Sequence, residues 1–259
     1  MFTTKRLYLT ALALAVFLLG VSLSGTSQPA ESDDINELRK AAEQGNAKAQ
    51  YELGSVYFLG AGVPQDQTQA VKWYRKSADQ GYADAQFELG FAYRIGKGVP
   101  KDDNEAVKWN RKAADQGLAE AQYALGVMYG NGMGVPKDQT EAVKWYRKAA
   151  NQGLAEAQGA LGGAYMLGWG VPQDRTEAVK WCRKAADQGC AEAQYTLGAS
   201  YAGGGIGVPK DNVQAYMWLD LAGHTNEEAR KLRDTVASEM SQSQIAEAQK
   251  LSRDWKPTP

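Results

Sequence analysis

Five glycines, Gly54, Gly90, Gly126, Gly162 and Gly198, stand at a constant spacing of 36 residues, and their neighbours recur with them. Gln50, Gln86, Gln122, Gln158 and Gln194 keep the same interval. So do Tyr57, Tyr93, Tyr129, Tyr165 and Tyr201 and the tryptophans Trp73, Trp109, Trp145 and Trp181. Trp218 follows one residue late, after the extra glycine in Gly203-Gly204-Gly205. Self-similarity at such a period marks a tandem array, in which each unit buries its apolar face only against its neighbours. Positions that recur serve the frame; positions that differ between copies are free to serve recognition.

In the first copy Ala47, Gln50, Leu53, Gly54 and Tyr57 share one face at helical spacing, which predicts a helix over about 47–59, here helix A. The loop Gly60-Ala-Gly-Val-Pro64 ends it, because glycine and proline both interrupt helix propagation. Helix B follows, with Ala70, Trp73 and Ser77 at spacings of three and four, and Gly81 stands where a left-handed helix end is least strained. Asp102 with Glu105, Asp138 with Glu141 and Asp174 with Glu177 have the spacing of a reciprocal capping box; Gln69 and Gln214 replace the glutamate in the first and fifth copies. Each copy is therefore a helical hairpin, and the fold class is all-α. A single hairpin is too thin to be stable alone, and truncating a core Trp costs roughly 3–5 kcal/mol.

The ends need caps. Residues 34–44 resemble a lone helix B with Ile35, Leu38, Ala41 and Ala42 facing inward. After Thr225 two polar-faced helices are expected, about 227–239 and 242–255, the second opened by a Ser241-x-x-Gln244 capping box. The organisation expected is thus five repeats with a leading cap helix over 34–225 and capping helices with a tail over 226–259.

Residues 1–24 read as an export signal: Lys5 and Arg6 precede a run from Leu7 to Leu23 that is apolar almost throughout. Small residues in Ser22-Leu23-Ser24 favour cleavage after Ser24, with Gly25 and Ser27 close behind, leaving 25–33 as a linker. A run of about 17 apolar residues is at the lower limit for an uncleaved membrane anchor, the other reading, and either one puts the repeats outside the cytoplasm, in the periplasm or secreted.

The 29 Lys plus Arg nearly balance 30 Asp plus Glu, giving a net charge of -1, so nucleic acid is not an expected partner. One histidine, His224, and two cysteines, Cys182 and Cys190, are too few for a four-ligand zinc site, and neither metal nor cofactor is expected. The chain holds no Ser-x-x-Lys, Ser-Asp-Asn or Lys-Thr-Gly, and a Ser-His-Asp arrangement would depend wholly on His224, so no catalytic centre is assigned.

The string Ala119-Glu-Ala-Gln122, Leu125-Gly126, Tyr129, Gly132-Met-Gly-Val-Pro136, Asp138, Ala142 to Trp145 and Ala149-Ala150 resembles the Sel-1-like repeat, and the resemblance covers nearly all of the chain beyond the signal. It implies a right-handed superhelical solenoid of antiparallel helix pairs, akin to tetratricopeptide arrays, serving as an adaptor in signalling, envelope biogenesis or host contact. The family also includes cysteine-rich exported members, some described as weak penicillin-binding or β-lactamase proteins. Their cysteine pair would fall at Ala186 and Gln194 here. Moving both four positions earlier, to Cys182 and Cys190, separates them, which favours two thiols over a bridge.

In tetratricopeptide-like stacks a partner lies in the concave groove along helix A. The face one position off the recurring residues varies here from copy to copy, opening on Lys48, Asp84, Glu120, Glu156 and Glu192 and carrying as its larger side chains Tyr51 and Phe58; Phe87, Phe91 and Arg94; Tyr123; and Tyr195. These, with Trp169 in the fourth copy's Gly-x-Gly loop, are the candidate partner-binding residues for a protein or peptide, since aromatic side chains dominate interface energetics. The aromatics could equally fill gaps between copies. Gly159, Gly162 and Gly163 in one helix each cost about 1 kcal/mol relative to Ala, which suggests a close approach there. Helix B carries a recurring basic ridge, such as Lys144-Arg147-Lys148, most of it expected to be answered by Glu three residues before or Asp four after. The function expected is an exported protein–protein interaction scaffold. The alternatives are a wall-related or β-lactam-hydrolysing enzyme and an envelope polysaccharide or peptidoglycan binder.

Overall fold

The computed structural model describes residues 33–204 and 207–258; the expected signal and most of the linker lie outside the described residues. Among the described residues the chain forms thirteen α-helices and no strand. They are α1 (Asp33–Glu43), α2 (Ala47–Leu59), α3 (Gln67–Asp79), α4 (Ala83–Ile95), α5 (Asp103–Asp115), α6 (Ala119–Asn131), α7 (Gln139–Asn151), α8 (Ala155–Leu167), α9 (Arg175–Asp187), α10 (Ala191–Gly203), α11 (Asn212–Gly223), α12 (Glu227–Ser238) and α13 (Gln242–Asp254). The even-numbered helices from α2 to α10 are the five A helices, and α3 to α11 the B helices. The chain divides into two compact units, one reaching Ala121 and including Met133–Pro136, the other made of Gln122–Gly132 and the residues from Lys137 on.

Every B helix starts on an aspartate. Asp66, Asp102, Asp138, Asp174 and Asp211 each accept the backbone N–H three residues on, at 2.9 to 3.1 Å. The glutamates do not complete a reciprocal box: Glu105, Glu141 and Glu177 turn outward to Lys108, Lys144 and Lys180, at 2.5, 3.0 and 3.1 Å. A lysine one turn further along offers the carboxylate a charged donor, and the aspartate alone suffices for the helix start. The full box forms at α13, between Ser241 and Gln244.

The Gly-x-Gly loop is required twice over. Gly60 ends α2 in the left-handed region at φ 72°, donating to the Val56 carbonyl at 2.9 Å. The second glycine of the motif also meets the preceding hairpin. Gly98 lies against the Gln67 backbone and Gly170 against that of Gln139, in each case where helix B begins and with no room for a Cβ.

Two recurring side chains stitch one hairpin to the next. Gln50 donates to the Ala42 carbonyl at 3.0 Å and accepts from Gln80 at 2.7 Å; Gln158 does the same with Ala150 and Gln188, at 3.3 and 2.9 Å. The glutamine thus satisfies a carbonyl at the end of one B helix and holds the end of the next, which is why a polar residue recurs in the core. The tyrosines receive arginines: Arg39 donates to Tyr57 and Arg147 to Tyr165, at 2.9 and 2.7 Å, and Arg75 pairs likewise with Tyr93 and Arg183 with Tyr201.

Each unit has its own core. In the first, Tyr51, Tyr74, Leu89 and Trp109 form one cluster. In the second, Leu197, Met217 and Trp218 pack with Ala185 and Ala186. Trp109, Trp145 and Trp218 are buried, whereas Trp73 and Trp181 are only half-buried. The leading helix buries Ile35 and Ala42 against α2. At the other end α12 packs on α11, burying Ala229 and Val236, and α13 adds Ala248 to the same cluster. Beyond α13 the Trp255 ring meets Trp218 edge-on at 6.4 Å, and the Thr258 N–H reaches the Asp187 carbonyl at 2.8 Å.

Candidate functional site

The recurring glycine of helix A has a partner that sequence reasoning missed, the residue after the tryptophan in helix B. A Cβ at Gly54 would stand 2.6 Å from the Tyr74 ring, at Gly90 2.5 Å from the Asn110 amide, at Gly126 2.5 Å from the Tyr146 ring, and at Gly162 2.5 Å from the Cys182 sulfur. The glycine lets helix B reach across helix A toward its outer face, so the size of this residue decides how full that face is. It is Tyr, Asn, Tyr, Cys and, at position 219, Leu.

In the first unit the face is largely occupied. Tyr51 is 8% exposed, its ring 5.9 Å from Tyr74 and 5.3 Å from Tyr82. It fills the space between copies rather than offering contact area. Phe58 packs partly on the same core, and the Lys97 ammonium lies 5.8 Å from its ring centre. Phe87 and Phe91 are half-buried, and Arg94 stands 5.1 Å from the Phe91 ring centre. The Phe58 and Phe91 rings thus carry cations of the same chain.

The second unit differs because the fourth copy is built small. Cys182 replaces a tyrosine across Gly162, and Gly159 stands where other copies carry Tyr51, Phe87 and Tyr123. A side chain at Gly163 would point into open space. Of the three glycines in α8, one is demanded by close packing and two border a hollow. That hollow is a pocket of about 330 Å³ lined by Tyr123, Tyr146, Glu156, Gly163, Trp169 and Glu192, among others. Tyr123 and Tyr146 form one wall, their rings 5.8 Å apart. Burial pushes the Tyr146 phenol up to about 12 and raises Tyr123 further, with Glu192 and Glu156 adding to the rise at Tyr123. Trp169 sits at the rim, 55% exposed.

Tyr195 does not join this pocket. It packs partly on the C-terminal cluster of α11 to α13 and borders a second hollow, of about 300 Å³, with Met166, Arg175 and Ser200. The structure therefore brings Tyr123 and Trp169 together and leaves Tyr195 to its neighbour. Sequence reasoning put the glycines, Glu156 and Glu192 on the varying face and singled out Trp169, but it did not bring the two glutamates together in one hollow, since each stands at a helix start where an acidic residue is ordinary.

The basic ridge of helix B is consumed by the frame. The ammonium groups of Lys112 and Lys148 lie 3.8 and 3.7 Å from the ring centres of Trp109 and Trp145, one turn back. Arg75 and Arg183, expected to meet the aspartates that follow them, turn instead to tyrosine hydroxyls of the next copy, where the guanidinium also lies 5.6 and 5.3 Å from the Trp109 and Trp218 ring centres. Cys182 and Cys190 are both free thiols, and burial pushes Cys182 up to about 12. His224 is exposed just past α11, at the position that Gln188 holds one repeat earlier.

Comparison with known proteins agrees with this architecture. The crystal structure of c5321, a protective antigen of uropathogenic Escherichia coli strains displaying an SLR fold, superposes with a TM-score of 0.76 at 38% identity, over 85% of this chain and 48% of that one. A Sel1 repeat protein from Oxalobacter formigenes superposes with a TM-score of 0.66 at 37% identity, over 74% of this chain and 84% of the other. The secretory immunoglobulin A-binding protein EsiB of Escherichia coli is 44% identical over 62 residues, 22% of this chain and 13% of that protein. This chain thus spans about half of c5321 and a small part of EsiB. The Sel1 repeat model matches residues 38–46, 47–82, 83–118, 119–154, 155–190 and 191–224, and with these repeats filling most of its length the chain belongs to the Sel1 repeat family.

Proposed function

We propose that this chain is an exported interaction scaffold that binds a partner protein or peptide on the helix-A face of its repeats. Arrays of Sel1 repeats are generally protein–protein interaction scaffolds. One observation carries the reading for this chain: the recurring glutamines, tyrosines, arginines and tryptophans are engaged in holding hairpins together, while the face that varies keeps a pocket and an exposed tryptophan at the fourth copy. An exposed aromatic beside a concave pocket is the arrangement from which binding hot spots are made. EsiB, named for binding secretory immunoglobulin A, is a relative whose partner is a protein. The export half of the proposal rests on Lys5, Arg6 and the apolar run that follows.

In-cell photocrosslinking tests it. A photoreactive residue at Trp169 or Tyr123 should yield defined adducts with envelope or extracellular proteins, and one at Lys144, on the outer ridge, should not. Adducts from Lys144 with none from the other two would overturn the reading.

A further inference from the structure

The pocket at the fourth copy has a definite chemistry. Its charged lining residues are Glu156 and Glu192, and both are acidic. Neither is ion-paired to a described residue. The two residues reach the pocket from different helices, α8 and α10. Each sits in the first turn of its helix. The remaining large side chains are the rings of Tyr123, Tyr146 and Trp169, whose faces attract a cation. Gln139 and Asn131 add amide groups that can accept from N–H donors. At about 330 Å³ the space is at the low end for a ligand cavity, enough for a long side chain but tight for a cofactor.

We propose that this pocket receives one basic side chain, lysine or arginine, projecting from an extended segment of the partner, with Glu156 and Glu192 as its counter-ions and Tyr123, Tyr146 and Trp169 around its stem. This rests on the scaffold reading and specifies the partner at one position. The contrast with the first unit supports it. There the aromatic faces of Phe58 and Phe91 are taken by Lys97 and Arg94 of the chain itself, whereas the charged residues lining this pocket are both acidic. The pocket is open because Gly159 and Gly163 put no side chain into it, so a bulky residue at position 163 would enter the same space.

Selection of random peptides displayed on phage against the purified chain tests this, run in parallel on the parent, Glu156→Gln/Glu192→Gln and Gly163→Phe, with each variant's helix content and melting temperature checked first. The proposal expects enriched peptides with Lys or Arg fixed at one position. Synthetic copies should bind the parent and weaken at least tenfold on replacing that residue by norleucine, and likewise with the double glutamine variant, whose isosteric change leaves the fold intact. Gly163→Phe should block the same peptides. Peptides enriched without a basic position, or bound equally by the glutamine variant, overturn the pocket chemistry while leaving the scaffold reading in place. Failure to enrich any peptide counts against both.

Discussion

Gly162 lies beneath Cys182 so closely that a methyl group on the glycine would stand 2.5 Å from the sulfur, while the adjacent Gly163 faces open space. The same residue type in successive positions of α8 therefore serves opposite ends. One keeps two helices in contact, and the other keeps a pocket empty.

The two glycines should respond with opposite sign to the same substitution. Gly162→Ala overpacks a close helix crossing and is expected to lower stability by about 1–3 kcal/mol. Gly163→Ala removes a flexible residue from a helix interior without a clash and is expected to raise it by about 0.5–1 kcal/mol. Urea denaturation of the two variants decides the matter.

Gln158→Ala should cost about 0.5–1.5 kcal/mol, because it removes the amide bonds to the Ala150 carbonyl and from Gln188, while the Ala150 carbonyl keeps the Gly153 N–H and the Gln188 amide keeps the Gly153 carbonyl. Gln188→Ala removes a more exposed group and should cost less than half as much. The denaturation midpoints of both against the parent give the comparison.

How far the sequence alone reaches depends on whether a feature is periodic along the chain or paired across it. The A helices begin and end within a residue of where Gly60, Pro64 and the apolar spacing put them, and the aspartates cap every B helix, since both features are local. The pairing of Gly126 with Tyr146 was not legible. The two positions lie on different helices, and the varying partner across a constant glycine hides their contact from any self-comparison. Whether Tyr51 lines a groove or fills a gap was left open for the same cause: its burial depends on Tyr74 and Tyr82, which come from the following helix and turn. Glu156 and Glu192 fall on the varying face, but they recur with Glu120 at a position where acidic residues suit any helix start, so nothing in the pattern marked them as two walls of one pocket.

The two thiols should be slow to react. Burial raises both, Cys182 to about 12. At pH 8 a thiol-specific reagent should modify Cys190, the more exposed, ahead of Cys182, and both promptly in urea. Peptide mapping after timed alkylation should find Cys182 labelled last, and non-reducing electrophoresis should show the same mobility as the reduced chain.

Alkaline conditions should loosen the second unit. The Tyr146 phenol, at about 12 when folded against about 10 when unfolded, favours the folded state fully below pH 10 and loses that contribution as pH rises through 12. The loss is on the order of 1–2 kcal/mol. Tyr146→Phe should flatten the fall of the urea midpoint between pH 10 and 12, measured beside the parent.

The central claim is that the frame and the recognition face are carried by different residues of the same repeat, and photocrosslinking from Trp169 in a Gly163→Leu background tests it most directly. The account predicts a melting temperature equal to or above the parent's together with at least a tenfold loss of adduct, because leucine fills the pocket without touching the stack. An undiminished adduct yield at full stability would contradict it.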